Sequence, residues 1–207
     1  MPGCCTPWSN VIRTQWMQVV GLVHDLGKLL NLLGSEGQWD VVGDTFVVGA
    51  AFSDKNIYPE TFAANPDATH PVYSTANGIY APGCGLDNVL LSWGHDEYMY
   101  TIAKEQSKLP PEALAMIRYH SFYPCVPRPP SPIPPSPEPD PCFAPSWHRE
   151  GAYTHFMAEQ DHRSLAAVNE FNPYDLYSKA DEPVDIDAVR TYYQALIAKF
   201  FPAIVEW

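Results

Sequence analysis

Apolar residues in the first third of the chain recur at Ile12, Trp16, Val19, Val23, Leu26, Leu30 and Leu33. These alternating steps of four and three are the spacing of an α-helix with one core-facing stripe. Ser9 or Asn10 stands where a cap is needed, and Gly34 stands at the end, so the pattern predicts one helix from about Ser9 to Gly34. A second helix fits Leu86 through Ala103, with Leu86, Val89, Leu90, Trp93, Met99 and Ile102 on its buried face and His95 inside it. Pro110-Pro111-Glu112 reads as the start of a third helix, since proline is tolerated in a first turn. Leu114 and Ile117 follow at helical steps, and the helix closes at His120 and Ser121 before Pro124. Two more helices are predicted over Ala158–Glu170 and Asp187–Phe201, the latter with Asp185 as cap and Pro202 as stop. Between Gln38 and Pro82 the apolar runs are short, Val41-Val42 and Phe46-Val47-Val48 being divided by Gly43-Asp44, which predicts a long ordered loop region. Connections of that length usually carry function.

The expected architecture is therefore all-α: a helical bundle with long ordered loops, folded as a single domain over the 207 residues. One segment breaks the composition. Eleven of the 22 residues from Pro124 to Pro145 are proline, half of all the proline in the chain. That excludes helix and central strand and predicts a solvated, polyproline-like insertion over about 124–146. Such a stretch can present itself to a proline-recognition module, although a plain insertion loop is the simpler reading.

Charge narrows the partners. Twelve Lys and Arg against 24 Asp and Glu give a formal charge of −12, which argues against nucleic acid or an anionic membrane surface. No apolar run reaches the length of a membrane span, and the N-terminal residues lack the basic and apolar pattern of a signal peptide. Five cysteines without paired spacing fit a reducing, cytosolic setting.

The chemistry concentrates in Gly21-Leu22-Val23-His24-Asp25-Leu26-Gly27-Lys28, where a histidine, a carboxylate and a lysine interrupt an apolar helix. His24 and Lys28 lie four apart and Asp25 about 100° round from His24, so the three can share one cavity beside the stripe. Buried charge needs a partner. A simple Asp25–Lys28 ion pair supplies one, and a divalent metal held by imidazole nitrogen and carboxylate oxygen supplies another. On this stretch alone the two are equally good. His95, His120 and Asp175 also sit on or beside apolar helices, at separations of 70, 25 and 55 residues, as in metal sites assembled from several helices of a bundle. His70, His148, His155 and His162 lie in polar surroundings and read as surface residues.

The strings His24-Asp25-Leu26-Gly27-Lys28, Val42-Gly43-Asp44-Thr45-Phe46, Leu91-Ser92-Trp93-Gly94-His95-Asp96-Glu97-Tyr98, Ile117-Arg118-Tyr119-His120-Ser121-Phe122-Tyr123-Pro124 and Glu170-Phe171-Asn172-Pro173-Tyr174-Asp175-Leu176-Tyr177 together resemble those of myo-inositol oxygenase, an all-helical family of the HD-domain group. The likeness runs from about residue 16 to Trp207, outside the proline-rich stretch. It implies a non-haem di-iron enzyme that cleaves the ring of myo-inositol with dioxygen to give D-glucuronate. By motif, Asp25 would bridge two irons, His24 and Asp175 would bind the first, and His95 and His120 the second. Lys28, Gly43, Asp44, His120, Ser121 and Lys179 match positions that contact substrate, with Lys28 the catalytic lysine beside the metal-bound hydroxyl. The family pattern carries a further histidine ligand before the His-Asp pair, whereas residues 1–23 here contain no His, Asp or Glu. The first iron would then keep two terminal ligands and the bridge. Two other readings follow from the same residues: a non-catalytic relative that binds one metal or a partner, and an HD-type metal phosphohydrolase. The latter calls for a basic phosphate cluster, and these strings offer little beyond Lys28, Arg118 and Lys179.

Overall fold

The computed structural model describes residues 14–37, 41–122, 151–177 and 184–207. Among them are five α-helices: α1 (Gln15–Val23), α2 (His95–Gln106), α3 (Pro111–Tyr119), α4 (Glu159–Tyr177) and α5 (Ile186–Phe200). Strand structure among the described residues is limited to one antiparallel bridge between Val47 and Leu91. The all-α expectation is met, and none of the described helices is long and apolar enough to cross a membrane. The expected caps Ser9 and Asn10, the 124–146 insertion, His148 and Lys179 lie outside the described residues.

α3 is the middle of the molecule. Ala113, Met116 and Ile117 face one apolar cluster, with Met17, Val20 and Val23 of α1, Met99 and Ile102 of α2, Phe171 of α4 and Leu196 of α5. Ala115 and Tyr119 face a second cluster, with Val47, Leu86, Val89, Leu91, Phe122, Tyr153, Phe156 and Val168. A helix apolar on both sides must be buried, and its C-terminal residue His120 is therefore delivered into the interior. Asp185 caps α5 as expected, its carboxylate accepting from the backbone N–H groups of Asp187 and Ala188.

Three expectations are corrected. The first helix is α-helical only to Val23, and His24–Leu32 is wound as a 3₁₀-helix. With three residues per turn, His24, Gly27 and Leu30 share the inward face. His24 and Gly27 are buried, while Leu26, Leu29, Leu32 and Leu33 are exposed. The tighter winding also aligns Asp25 with Lys28, Nζ to Oδ1 2.7 Å, which is the ion pair the sequence offered as one partner for the charge. Gly27 is required here because a Cβ on it would lie 1.8 Å from the carbonyl oxygen of His95. This contact brings Asp25 against the start of α2.

The second predicted helix begins nine residues late, at His95. Positions 86, 89, 90 and 93 mimic helical spacing, yet their backbone groups bond elsewhere. Leu86 N–H donates to Asp161 Oδ2, the Leu86 and Val89 carbonyls accept from Arg118, the Leu90 carbonyl accepts from Val48 N–H, and Ser92 N–H donates to the Phe46 carbonyl. Leu86–Asn88 forms only a single 3₁₀ turn, and Leu90 and Trp93 are 62% and 60% exposed instead of buried. The fourth helix runs on past Glu170 to Tyr177, through Pro173. Proline removes one rung of the helix there, but Phe171, packed in the first cluster, keeps the helix on the core.

Two outcomes follow. Gly27→Ala forces the 3₁₀ segment off α2 and costs on the order of 3 kcal/mol in a denaturant melt, as severe overpacking does. Burial pushes the hydroxyls of Tyr119 and Tyr153 above the ordinary tyrosine range. Their folded-state pKa is the higher one, so the associated stability is intact below about pH 10 and falls as pH rises beyond it. Urea melts between pH 9 and 11 should lose up to about 1.4 kcal/mol per pH unit for each tyrosine, and Tyr119→Phe should flatten that slope.

Candidate metal centre

Each histidine of the centre is held at an element boundary. His24 ends α1, His95 is the first residue of α2, and His120 caps the C-terminus of α3. At such boundaries backbone carbonyls are left over from the helical ladder or come from neighbouring loops, and the rings use them. His24 Nδ1 donates to the Val20 carbonyl at 3.1 Å, His95 Nδ1 to the Val41 carbonyl at 2.7 Å, and His120 Nδ1 to the Ile117 carbonyl at 2.9 Å. A carbonyl only accepts, so in all three rings Nδ1 carries a proton, and Nε2 is the nitrogen left to face the carboxylates or a metal ion.

The three Nε2 atoms converge on Asp25. His95 Nε2 and His120 Nε2 are 3.0 Å apart, and they lie 3.4 and 3.8 Å from Asp25 Oδ1. His24 Nε2 lies 3.8 Å from Asp25 Oδ2 and 3.2 Å from Asp175 Oδ1. The two oxygens of one carboxylate thus face different donor pairs. Phe171 packs edge-on to His24 with ring centroids 5.1 Å apart, which closes the apolar side. Asp175 reaches the centre because α4 continues past Pro173.

Electrostatics favour an ionised Asp25. Burial works against its charge, but the neighbouring His120, Lys28 and His24 hold its carboxyl well below the usual carboxylate range. Burial together with the neighbouring His120 pushes His95 down, against the pull of Asp96. Burial also opposes charge on His120, yet the hydrogen bond to Asp25 and the fields of Asp96 and Asp175 leave its pKa raised. Two buried imidazoles with facing lone pairs need a proton or a cation between them.

Divalent metal fits this set on three counts. The donors are imidazole nitrogens and carboxylate oxygens, matched to iron, zinc or manganese. His24, Asp25 and His120 alone offer three ligand atoms within 4.8 Å of one another. Asp25 Oδ1 is shielded from solvent and makes no hydrogen bond of ordinary geometry, despite its close approach to Lys28 Nζ. With Lys28 on one side and two imidazole nitrogens at 3.4 and 3.8 Å on the other, this oxygen has a face left for a cation.

The other predicted positions are placed as follows. Lys28 sits on Asp25 at the exposed edge. Ser121 Oγ is 3.5 Å from His95 Nε2. Gly43 and Asp44 line a cavity of about 370 Å³, together with Thr45, Trp93, Gly94 and Asp96, and this lining includes none of the three histidines. The strap bearing Gly43 and Asp44 is tied to the centre by Thr45, whose N–H donates to the Ser121 carbonyl at 2.9 Å and whose hydroxyl donates to Asp96 Oδ2. His70, His155 and His162 are exposed.

Two kinds of site residue were not singled out from the sequence. The Val41 carbonyl accepts from both the backbone N–H and the ring of His95, and a main-chain oxygen leaves no trace in a residue string. Asp96 is a fully buried carboxylate one residue past His95, and a charged residue in the first turn of a core helix was the available signal.

The sequence profile of a family described as myo-inositol oxygenase matches residues 9–128 and 142–207. Inositol oxygenase 5 of Arabidopsis thaliana is 47% identical over 195 residues, covering 93% of this chain and 55% of its own. Inositol oxygenase of Danio rerio is 44% identical over 194 residues, covering 93% and 62%. Inositol oxygenase of Pongo abelii is 46% identical over 194 residues, covering 93% and 60%. The chain spans between 55% and 62% of the length of these relatives.

Chelator-treated protein should therefore gain stability on titration with cobalt(II), by about 2.7 kcal/mol at a hundredfold excess over Kd. Asp25→Asn, which alters the one residue facing both donor pairs, should remove most of that gain in a thermal-shift titration. An undiminished shift in Asp25→Asn places the ion elsewhere.

Proposed function

The chain belongs to the myo-inositol oxygenase family, and from that membership we propose that it is an iron-dependent oxygenase which takes myo-inositol and dioxygen to D-glucuronate. One observation carries the proposal: the two oxygens of Asp25 face different donor pairs, His24 with Asp175 on one side and His95 with His120 on the other. This is the arrangement in which a carboxylate serves two metal ions. His24 and Asp175 would hold the first iron, His95 and His120 the second, and Asp25 both. Bound iron supplies Lewis acidity toward adjacent hydroxyls and the means of activating dioxygen.

The protein's own residues do the rest. Lys28 keeps an ammonium beside Asp25 at the half-exposed edge of the centre, where it favours an ionised polyol hydroxyl electrostatically. Ser121 is short enough to hydrogen-bond to a polyol beside His95 without covering Nε2. Gly43 and Asp44 present a backbone and a carboxylate on a strap that Thr45 fixes to Ser121. The Gly43 backbone has φ +126°, a conformation in which a side chain would be strained. Lys179 enters as a substrate contact on the family motif alone. Buried walls around His95 and His120 keep bulk water off the second donor pair.

A second reading keeps one metal and no turnover. It rests on the three ligand atoms of His24, Asp25 and His120, which lie within 4.8 Å of one another and could hold a single ion.

The deciding measurement is metal content by plasma mass spectrometry on anaerobically purified protein, beside glucuronate formation from myo-inositol and dioxygen. About two irons per chain with turnover, both lost in His95→Ala, is the expected result. One iron without glucuronate supports the second reading. Neither iron nor product overturns the proposal, and hydrolysis of a generic phosphoester would replace it with phosphohydrolase chemistry.

A further inference from the structure

His95 and His120 stand at helix ends, where the backbone ladder is incomplete and fraying is cheapest. Their Nε2 atoms nevertheless lie 3.0 Å apart on separate helices. Something outside the two rings must hold α2 and α3 in register. Two residues after His95 is Glu97, and two residues before His120 is Arg118. Arg118 Nε donates to Glu97 Oε2 at 2.8 Å and Nη2 donates to Glu97 Oε1 at 3.0 Å, a two-pronged contact. The Arg118 side chain is 5% exposed and that of Glu97 17%.

A planar fork on a carboxylate fixes both distance and angle, which a lysine ammonium does not. The fork is itself immobilised. Nη1 donates to the Leu86 carbonyl and to the Tyr119 hydroxyl, Nη2 also donates to the Val89 carbonyl, and the Tyr100 ring lies 4.8 Å from the guanidinium carbon. The Leu86–Val89 carbonyls lead directly to Leu91, which pairs with Val47 two residues beyond Thr45. One guanidinium therefore joins both histidine-bearing helix ends to the strap that carries Gly43 and Asp44.

We propose that the Arg118–Glu97 fork is the positioning pair of the centre, setting the separation of His95 and His120 that the second metal requires. This inference rests on the metal-centre reading above. Neither side chain touches a donor atom, so the pair acts only through the helix ends it spaces. An ordinary buried ion pair would stabilise the fold and leave the donors where they are.

The test compares Arg118→Lys and Glu97→Asp, which keep the charges and break the fork geometry, with Tyr119→Phe, which removes another Arg118 partner and leaves the fork whole. Each is titrated with cobalt(II) alone, following the visible ligand-field bands, with folding checked by circular dichroism. Expected is a loss of cobalt affinity of about ten- to a hundredfold in the two fork variants, with altered bands, as found when the support behind metal ligands is removed. Tyr119→Phe should stay close to wild type. Wild-type affinity and bands in the fork variants overturn the proposal, as does an equal loss in Tyr119→Phe at matched stability. If Arg118→Lys does not fold, Glu97→Asp decides alone. Should wild-type protein take up no cobalt, the metal reading fails and the spacing is read in metal-free, ¹⁵N-histidine-labelled protein. There the Nδ1–H signals of His95 and His120 should exchange slowly in wild type and Tyr119→Phe, and rapidly in the fork variants. Unchanged exchange overturns the positioning role.

Discussion

Three imidazoles cannot share a buried space unless their protons are accounted for, and this requirement shapes the molecule. Each Nδ1–H of the centre is given to a backbone carbonyl, so each Nε2 is turned toward the same small volume. Left alone, the 3.0 Å approach of His95 to His120 would be repulsive. Asp25, the one carboxylate among the described residues within 4 Å of all three Nε2 atoms, adds negative charge there, so that a proton or a cation is drawn between the rings. Nitrogen donors gathered around an anionic oxygen have the chemistry of a cation site.

The rest of the fold supplies rigidity where helices are weakest. Ligands at helix ends can turn their rings onto spare carbonyls, but ends fray. Here the start of α2 is pinned by Gly27, whose missing side chain allows the 3₁₀ segment to rest on the His95 backbone. The end of α3 is pinned because that helix is buried on two sides, between two apolar clusters. Arg118 closes the structure with donors to Glu97, two carbonyls and a tyrosine. Burying its charge is acceptable only because the fork is fully met, since removing one partner of a buried pair leaves an uncompensated ion.

Exposure is distributed unevenly around the centre. His95 and His120 are buried, whereas Asp25 and Lys28 are 41% and 46% exposed and form the open edge of the centre. Ser121 and the Thr45-anchored strap border the buried side. The centre therefore opens to solvent at Asp25 and Lys28 and is closed around the imidazoles.

The sequence alone determined the presence of the five described α-helices, the all-α class, the proline start of α3 and the Asp185 cap of α5, and the strings that carry the family. These depend on local spacing and on residue chemistry, which are present in the chain whatever its neighbours do. It could also nominate His24, Asp25, His95, His120 and Asp175, because ionisable groups among apolar ones need partners. Tertiary structure decided how those groups meet. The 3₁₀ winding after Val23, which the contact of Gly27 with α2 required, put Asp25 and Lys28 on one face and turned Leu26 and Leu33 out of the expected core stripe. Positions 86–93 had helical spacing but gave their backbone hydrogen bonds to Arg118, Asp161 and the Phe46–Val48 segment, all distant in sequence. α4 crossed a proline because Phe171 had a core to fill. Tautomers, the Val41 carbonyl and the facing of Asp25's two oxygens are relations between distant backbone and side-chain atoms, so no residue string encodes them locally.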